Sequence, residues 1–385
     1  MKIKNIIYAL SLTVVALFAT SCNDIVDYND NWDNQLTSYG PPSIRKIATP
    51  YDTLTALSTG ALTQMIIIQG NNLTDVKSIL FNDVEVDLST IYAMRHKITL
   101  SIPRILPENV TNTLTVETEK GITTFPFEVT IPPLVVKGFY NEFVQPGDTA
   151  QIVGDFLDLY EITEELGTFT LNGSDVKVLD FTDKSFSIII PEGTPDNSVF
   201  TLSSPKLDNS MSFKYRDLGI QILNYEDLNS NGMWAGGEYV TDGTKPGDPE
   251  PLVGKYTRFA GSFGAWAWTN VFGGGFNLNE ADIANNPQDY YVKFEILTKQ
   301  DKPINDFEKI IMQNLDWYPS SGGLSFNTYG KWMTITLEAT DVFKDDNAPT
   351  KSSLAVGWNG FGIVHQPTNE VSPDFSICNF RFIKK

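Results

Sequence analysis

Ile68-Gln69-Gly70-Asn71-Asn72-Leu73 returns in looser form as Val153-Gly154-Asp155-Phe156-Leu157, and this recurrence decides the fold of the first half of the chain. Two further segments repeat in the same order. Phe81-Asn82-Asp83-Val84-Glu85-Val86 is echoed by Leu171-Asn172-Gly173-Ser174-Asp175-Val176, and Ile98-Thr99-Leu100-Ser101-Ile102-Pro103 by Phe186-Ser187-Ile188-Ile189-Ile190-Pro191. The matched Gly, Asn and Pro positions lie 84, 90 and 88 residues apart, so the chain holds two copies of one small domain. Runs such as Thr113-Leu114-Thr115-Val116-Glu117-Thr118 alternate apolar and polar residues. Period-two alternation buries one face of a strand and leaves the other in water. Many short strands, broken by turn residues about every 8–12 positions, specify a β-sandwich.

Past Tyr215 the composition changes. Six of the seven tryptophans (Trp234, Trp266, Trp268, Trp317, Trp332 and Trp358) fall there, with dense glycine in Ala235-Gly236-Gly237 and Phe272-Gly273-Gly274-Gly275-Phe276. Strand patterns are clear at Tyr290–Ile296, Lys331–Leu337 and Ile377–Ile383, and the only helical pattern is a short one near Leu278–Asn285. This third domain is a larger all-β unit of jelly-roll type. The fold class is therefore all-β: two tandem β-sandwiches followed by a larger jelly-roll-like β-sandwich.

Composition narrows the function. At 385 residues the chain has room for two or three cored domains. With 41% hydrophobic, 12% aromatic and only 19% charged residues it lacks the composition of a disordered chain. The net charge of −19 and pI near 4.5 disfavour nucleic acid as a partner, because phosphate binding needs clustered Lys and Arg. Two histidines and two cysteines leave little for zinc, iron–sulfur or disulfide chemistry.

Lys2 and Lys4 precede an apolar run from Ile6 to Ala19, and Ala19-Thr20-Ser21 leads into Cys22. A basic end, a short apolar stretch and small residues before a cut make a secretory signal over residues 1–21. Ending on Cys22, the segment resembles a bacterial lipoprotein lipobox, which implies lipid attachment at Cys22 and a membrane contact through that anchor. Residues 22–40, rich in Asn and Asp, read as a flexible tether. The acidic stretch after Cys22 also resembles the surface-export signals of Bacteroidetes lipoproteins. Cys378 lies in an apolar strand and reads as a small core residue.

Pro41-Pro42-Ser43-Ile44, the G-x-x-L turn at Gly70, the Phe81-Asn82-Asp83 hairpin and Gly121…Phe127-Glu128-Val129 resemble an IPT/TIG immunoglobulin-like domain over residues 41–132. The second copy, residues 133–215, departs from the pattern at an insertion from Glu161 to Gly167. In residues 216–385, Asn224-Tyr225-Glu226-Asp227, Gly330-Lys331-Trp332 and Cys378-Asn379-Phe380-Arg381-Phe382 resemble the punctuation of jelly-roll carbohydrate-binding modules. Lipoprotein signal, tandem Ig-like spacers and a Trp-rich terminal domain together resemble the SusE-positioned surface glycan-binding proteins of Bacteroidetes polysaccharide utilisation loci. That resemblance implies an outer-membrane lipoprotein facing the cell exterior. It also implies a polysaccharide partner, β-glucan or hemicellulose such as xyloglucan, and a neighbouring SusC/SusD-type importer.

Sugar rings offer an apolar C–H face that a flat exposed aromatic matches. Read as a strand, Phe259–Thr269 puts Trp266 and Trp268 on one face with Ala260, Ser262 and Gly264, two rings about 7 Å apart above a floor of tiny side chains. Trp234, in a glycine loop, and Trp317 with Tyr318, in a loop beside Asp316, complete the expected glycan-binding set. Trp332 reads as structural and Trp358, in an apolar strand, as core. Asp227, Asn229, Asn231 and Glu238 satisfy D-x-[DN]-x-[DN]-G-x5-E, the spacing of a calcium loop. Strand-like flanks and only two charged ligands argue for weak affinity at best, so no cofactor is expected beyond that single calcium possibility.

Catalysis has less support. His96 and His365 fall in different domains, and the E-x-D-x-x-E cluster of β-sandwich glucanases is absent. The expectation is a non-enzymatic glycan-binding lipoprotein. The alternatives are a glycoside hydrolase or lyase with dispersed acids such as Glu226, Asp227, Glu238 and Asp242, and an adhesin that contacts protein through its Ig-like domains.

Overall fold

The computed structural model describes residues 37–320, 323–345 and 348–385. The signal segment, Cys22 and the tether up to residue 36 lie outside the described residues. Among those described, no helix is long and apolar enough to cross a membrane. The chain divides into two compact units, one ending at Pro133 and the other running from Leu134 to Lys385.

The first unit is a sandwich of two four-stranded sheets. One has the order Ser43–Ala48, Met65–Asn71, Lys97–Ser101, Tyr92–Met94; the other has Val84–Glu85, Val76–Phe81, Thr113–Thr118, Gly121–Pro126. The alternation read from the sequence is the burial pattern: Ile66, Ile68, Leu114 and Val116 are fully buried while their strand neighbours reach solvent. A parallel pair, Thr59–Ala61 with Glu128–Thr130, closes the edge.

The second unit opens with the same plan. Val135–Phe139, Thr149–Asp155, Ser185–Ile189 and Val178–Leu179 form one sheet; Ser174–Asp175, Thr168–Leu171, Ser198–Ser203 and Met211–Tyr215 form the other. Strand for strand this is the order of the first unit. The repeated glycine has a steric cause. A methyl at Gly70 would stand 1.9 Å from the Ser43 carbonyl oxygen, and one at Gly154 2.4 Å from that of Val135. Both glycines face an irregularity in the opposing strand, at Ile44/Lys46 and Val136/Gly138. The repeated Asn82 and Asn172 turn their hairpins with φ of 59° and 51°, a conformation Asn tolerates better than most residues.

The C-terminal domain is a larger sandwich. Its first sheet runs Val240–Thr241, Tyr256–Ala260, Asp374–Lys384, Tyr290–Thr298, Met333–Glu338, with Ile220–Gln221 also paired to Asp374–Lys384. Its second runs Thr269–Leu278, Gly357–Pro367, Glu308–Met312, Leu315–Trp317. Between them lies a phenylalanine core that includes Phe259, Phe272, Phe294, Phe361, Phe375 and Phe380, with Phe294 and Phe380 stacked 4.7 Å apart. Each such ring contributes roughly 1.5–3 kcal/mol through burial. The helical reading near Leu278–Asn285 corresponds to a short helix, Ala281–Asn285.

The outer face of the first sheet meets the second Ig-like domain. Glu142 is buried there against Arg381 (2.7 Å) and Lys293, and Arg381 also pairs with Glu295 at 2.9 Å. The Arg381 guanidinium lies 4.7 Å from the centre of the Phe143 ring. Thr334 fastens the backbone: its N–H donates to the Tyr140 carbonyl and its hydroxyl accepts from the Glu142 N–H. Burial pushes the Glu295 carboxyl above its ordinary range, against the pull of Arg381. On the second sheet, Trp358 and Gly360 leave the outer face exposed.

Candidate functional site

Glycine makes that outer face bare. Between the edge strand Thr269–Leu278 and its neighbour Gly357–Pro367, Gly273 stands opposite Gly362 and Gly275 opposite Gly360. Phe272, Phe276, Phe361 and Ile363 alternate with them and fill the core. Two indoles rest on this floor. Methyl groups at Gly273 would come within 2.6 Å of the Trp234 ring, and at Gly275 within 2.7 Å of the Trp358 ring. Each ring therefore lies over a strand Cα with one side covered, while Trp234 remains 70% and Trp358 53% exposed. Positions two apart on a strand are about 7 Å apart, so the two indoles form a stepped apolar platform.

The 231–235 segment holds Trp234 in place by pairing along the edge of Thr269–Leu278. The Trp234 N–H donates to the Gly273 carbonyl (2.9 Å), and the Gly275 N–H to the Asn231 carbonyl (2.9 Å). Asn231 is buried, its side-chain amide donating to the carbonyls of Ile222 and Gly275 and its oxygen accepting from the Asn224 N–H. Gly236 then turns away with φ 88°, where a side chain would meet the Val271 carbonyl at 2.1 Å.

Trp358 is the residue that sequence reasoning missed. The reading as core is corrected by its exposure and its seat on Gly275. A usable signal existed: Trp358, Gly360 and Gly362 share one parity of the strand, and Asn359, Phe361 and Ile363 the other. A large ring among glycines marks an open face, and phenylalanine and isoleucine mark the core.

Trp266 and Trp268 are exposed, at 68% and 61%, but they do not share a strand face. The strand ends at Ala260, and residues 261–268 form a loop that leads into Thr269–Leu278. Gly261 takes φ 154° and Trp266 φ 65°, which breaks the alternation. Phe263 anchors the loop by stacking on Phe259 at 4.5 Å, and the Trp266 N–H donates to the Pro367 carbonyl at 2.7 Å. Both tryptophans thus stand at the far end of the strand that carries Gly273 and Gly275.

Trp317 is placed differently from its reading as a loop residue. It ends the strand Leu315–Trp317 and packs edge-on against Phe294 (5.6 Å) and Phe326 (6.1 Å), on the core side. Tyr318, next to it, is exposed. Trp332 is buried, its indole N–H donating to the Glu250 carbonyl at 3.0 Å.

Asn231, required at the centre of the calcium spacing, spends its side-chain oxygen on the Asn224 N–H and is buried in the fold. Among the described residues no group of three or more His, Cys, Asp or Glu side chains converges on a metal-sized site. His365 pairs with Glu308 at 3.0 Å inside an aromatic cage of Phe259, Phe263 and Phe375, both partners fully buried. Outward positions on the four strands of the open sheet carry a single carboxylate, Asp316, which is paired with Lys309 at 3.1 Å.

Similarity to known proteins follows the same domain. Residues 215–384 match the family described as surface glycan-binding protein B xyloglucan binding domain. No curated protein sequence matches the chain. Among solved structures, surface glycan-binding protein PbSGBP-B from Prevotella bryantii is 18% identical, with a TM-score of 0.51 over 90% of this chain and 99% of that one. It shares the fold. SGBP-B from a complex xyloglucan utilization locus in Bacteroides uniformis is 16% identical, with a TM-score of 0.45, over 89% of this chain and 99% of that one. SGBP-B of the Bacteroides ovatus mixed-linkage glucan utilization locus, solved with a mixed-linkage heptasaccharide, is 13% identical with a TM-score of 0.27, over 85% and 74%. The part of the chain that matches the surface glycan-binding protein B xyloglucan binding domain is thus the C-terminal domain, with its glycine floor and seated indoles.

Proposed function

We propose that the protein is a cell-surface lipoprotein that captures a neutral β-glucan or xyloglucan chain on the open sheet of its C-terminal domain and does not cleave it. The observation that carries this reading is the seating of Trp234 and Trp358 on Gly273 and Gly275. Successive sugar rings stack on these two indoles, their hydroxyls turned to water and to polar neighbours. Trp266 and Trp268 extend the contact at one end of the strand. The lone, ion-paired Asp316 supports binding over hydrolysis, because glycoside cleavage needs two carboxyl groups flanking the bond.

In this reading Cys22 carries the lipid, the outer membrane holds the protein, and the bound chain is presented to a SusC/SusD-type importer. Affinity electrophoresis through gels containing xyloglucan, mixed-linkage glucan, laminarin or mannan tests the binding. Retardation by at least one of them is expected, and equal mobility in every gel would overturn the reading. For the anchor, Cys22→Ala is expected to abolish labelling by a palmitate analogue; a variant that still labels refutes it.

A further inference from the structure

A second hollow region lies away from the indoles, where the second Ig-like domain meets the C-terminal domain. Two adjoining cavities of about 760 and 670 Å³ share Tyr140, Gln151 and Lys331 in their walls. Asp148 and Glu250 line the first, and Tyr329 lines the second. Each cavity has the volume of a small-molecule site. Their walls mix phenol rings, amides and hydroxyls contributed by both domains.

Tyr329 is presented outward. It is 67% exposed with φ 55°, and its N–H is fixed at 2.7 Å by the Asn327 side chain. Gly330 follows with φ 76°, its N–H donating to the Thr298 carbonyl. Tyr140 and Tyr329 both line the second cavity. The buried ion pairs of Glu142, Arg381 and Glu295 join the two domains that form the cleft. A preformed cleft avoids the ordering cost of binding.

We propose that this interdomain cleft is a second glycan subsite, which takes a neutral oligosaccharide segment with Tyr329 as its stacking ring. Two carboxylates against one lysine in the lining select against uronic-acid polymers. The proposal rests on the glycan-binding reading of the chain but not on the tryptophan platform. Two subsites on one compact unit hold a long polymer more tightly than either alone.

The test uses the full chain with soluble xyloglucan polymer as probe. Trp234→Ala/Trp358→Ala is expected to retain weak binding. Adding Tyr329→Ala, or Gln151→Trp to fill the cleft from an exposed position, is expected to reduce that residual affinity by roughly tenfold or more. Polygalacturonate serves as the charged control and should not bind. Residual binding unchanged by both cleft variants overturns the proposal, as does the absence of any residual binding. If the cleft variants abolish binding while the tryptophan variants do not, the platform reading fails and the cleft stands. A wild-type chain that ignores xyloglucan and the other neutral polymers sinks both.

Discussion

The ring of Trp234 lies on the bare Cα of Gly273, so close that one methyl group on the glycine would sit 2.6 Å from both Cε2 and Cζ2. Real carbon contacts of that length do not persist, so Gly273→Ala must lift or tilt the indole. The atoms it would displace belong to one exposed side chain and not to the backbone. Gly273→Ala is therefore expected to weaken polysaccharide binding several-fold with little change in melting temperature. In a Trp234→Ala background the same substitution should cost nothing further, a coupling that a double-mutant cycle measures directly.

The tryptophans divide by what their truncation costs. Trp234→Ala and Trp358→Ala remove rings with one face in water, and each should lose about 1–3 kcal/mol of glycan affinity, by analogy with aromatic platforms for bases. Their stability should move little. Trp317→Ala removes a ring packed on Phe294 and Phe326 and should lose folding stability approaching the ~3–5 kcal/mol of core aromatic truncations. Melting curves and binding titrations on the three variants separate the classes. Intact binding in Trp358→Ala would move the platform away from Gly275.

Much of this was legible in the residues. The offset between Gly70 and Gly154 revealed two copies because a steric need, close passage past a backbone carbonyl, recurs at both places. Alternation in Met65–Asn71 and Thr113–Thr118 gave the core face directly. The same rule failed at Trp266 and Trp268 because alternation presumes extended backbone, and Gly261 and Trp266 leave it. Trp358 was misread because hydrophobicity was weighed without parity. The domain joint was illegible: Glu142, Glu295 and Arg381 are far apart in sequence, and no local pattern announces that three charges will be buried together.

Asp282 links stability to pH. Hydrogen bonds from Tyr290, Lys384 and Asn286 lower its pKa to about 2. A carboxylate whose folded pKa lies below its unfolded one contributes stability above the unfolded value, near 3.8, and loses it as pH falls toward 2. Asp282→Asn should thus lower the melting temperature at pH 6, and the gap from wild type should shrink between pH 4 and pH 2. A gap that is constant with pH would show that the hydrogen bonds act without the charge.

The joint predicts that the C-terminal domain is not independent of its neighbour. Removing residues 134–215 strips Glu142 from Arg381 and Lys293 and uncovers Glu295 on the sheet. Breaking a buried pair from one side costs about 3–5 kcal/mol, because the remaining charge loses its partner without regaining full hydration. Arg381 keeps Glu295, which reduces the loss. Glu142→Ala in the full chain is therefore expected to destabilise residues 134–385 by about 2–3 kcal/mol, near the lower edge of that range. A fragment of residues 216–385 should melt well below one of residues 134–385. Chemical denaturation of the two fragments decides it. Equal midpoints would mean that the ion pairs form between domains that are already stable apart, and that Tyr140–Val144 merely rests on the sheet.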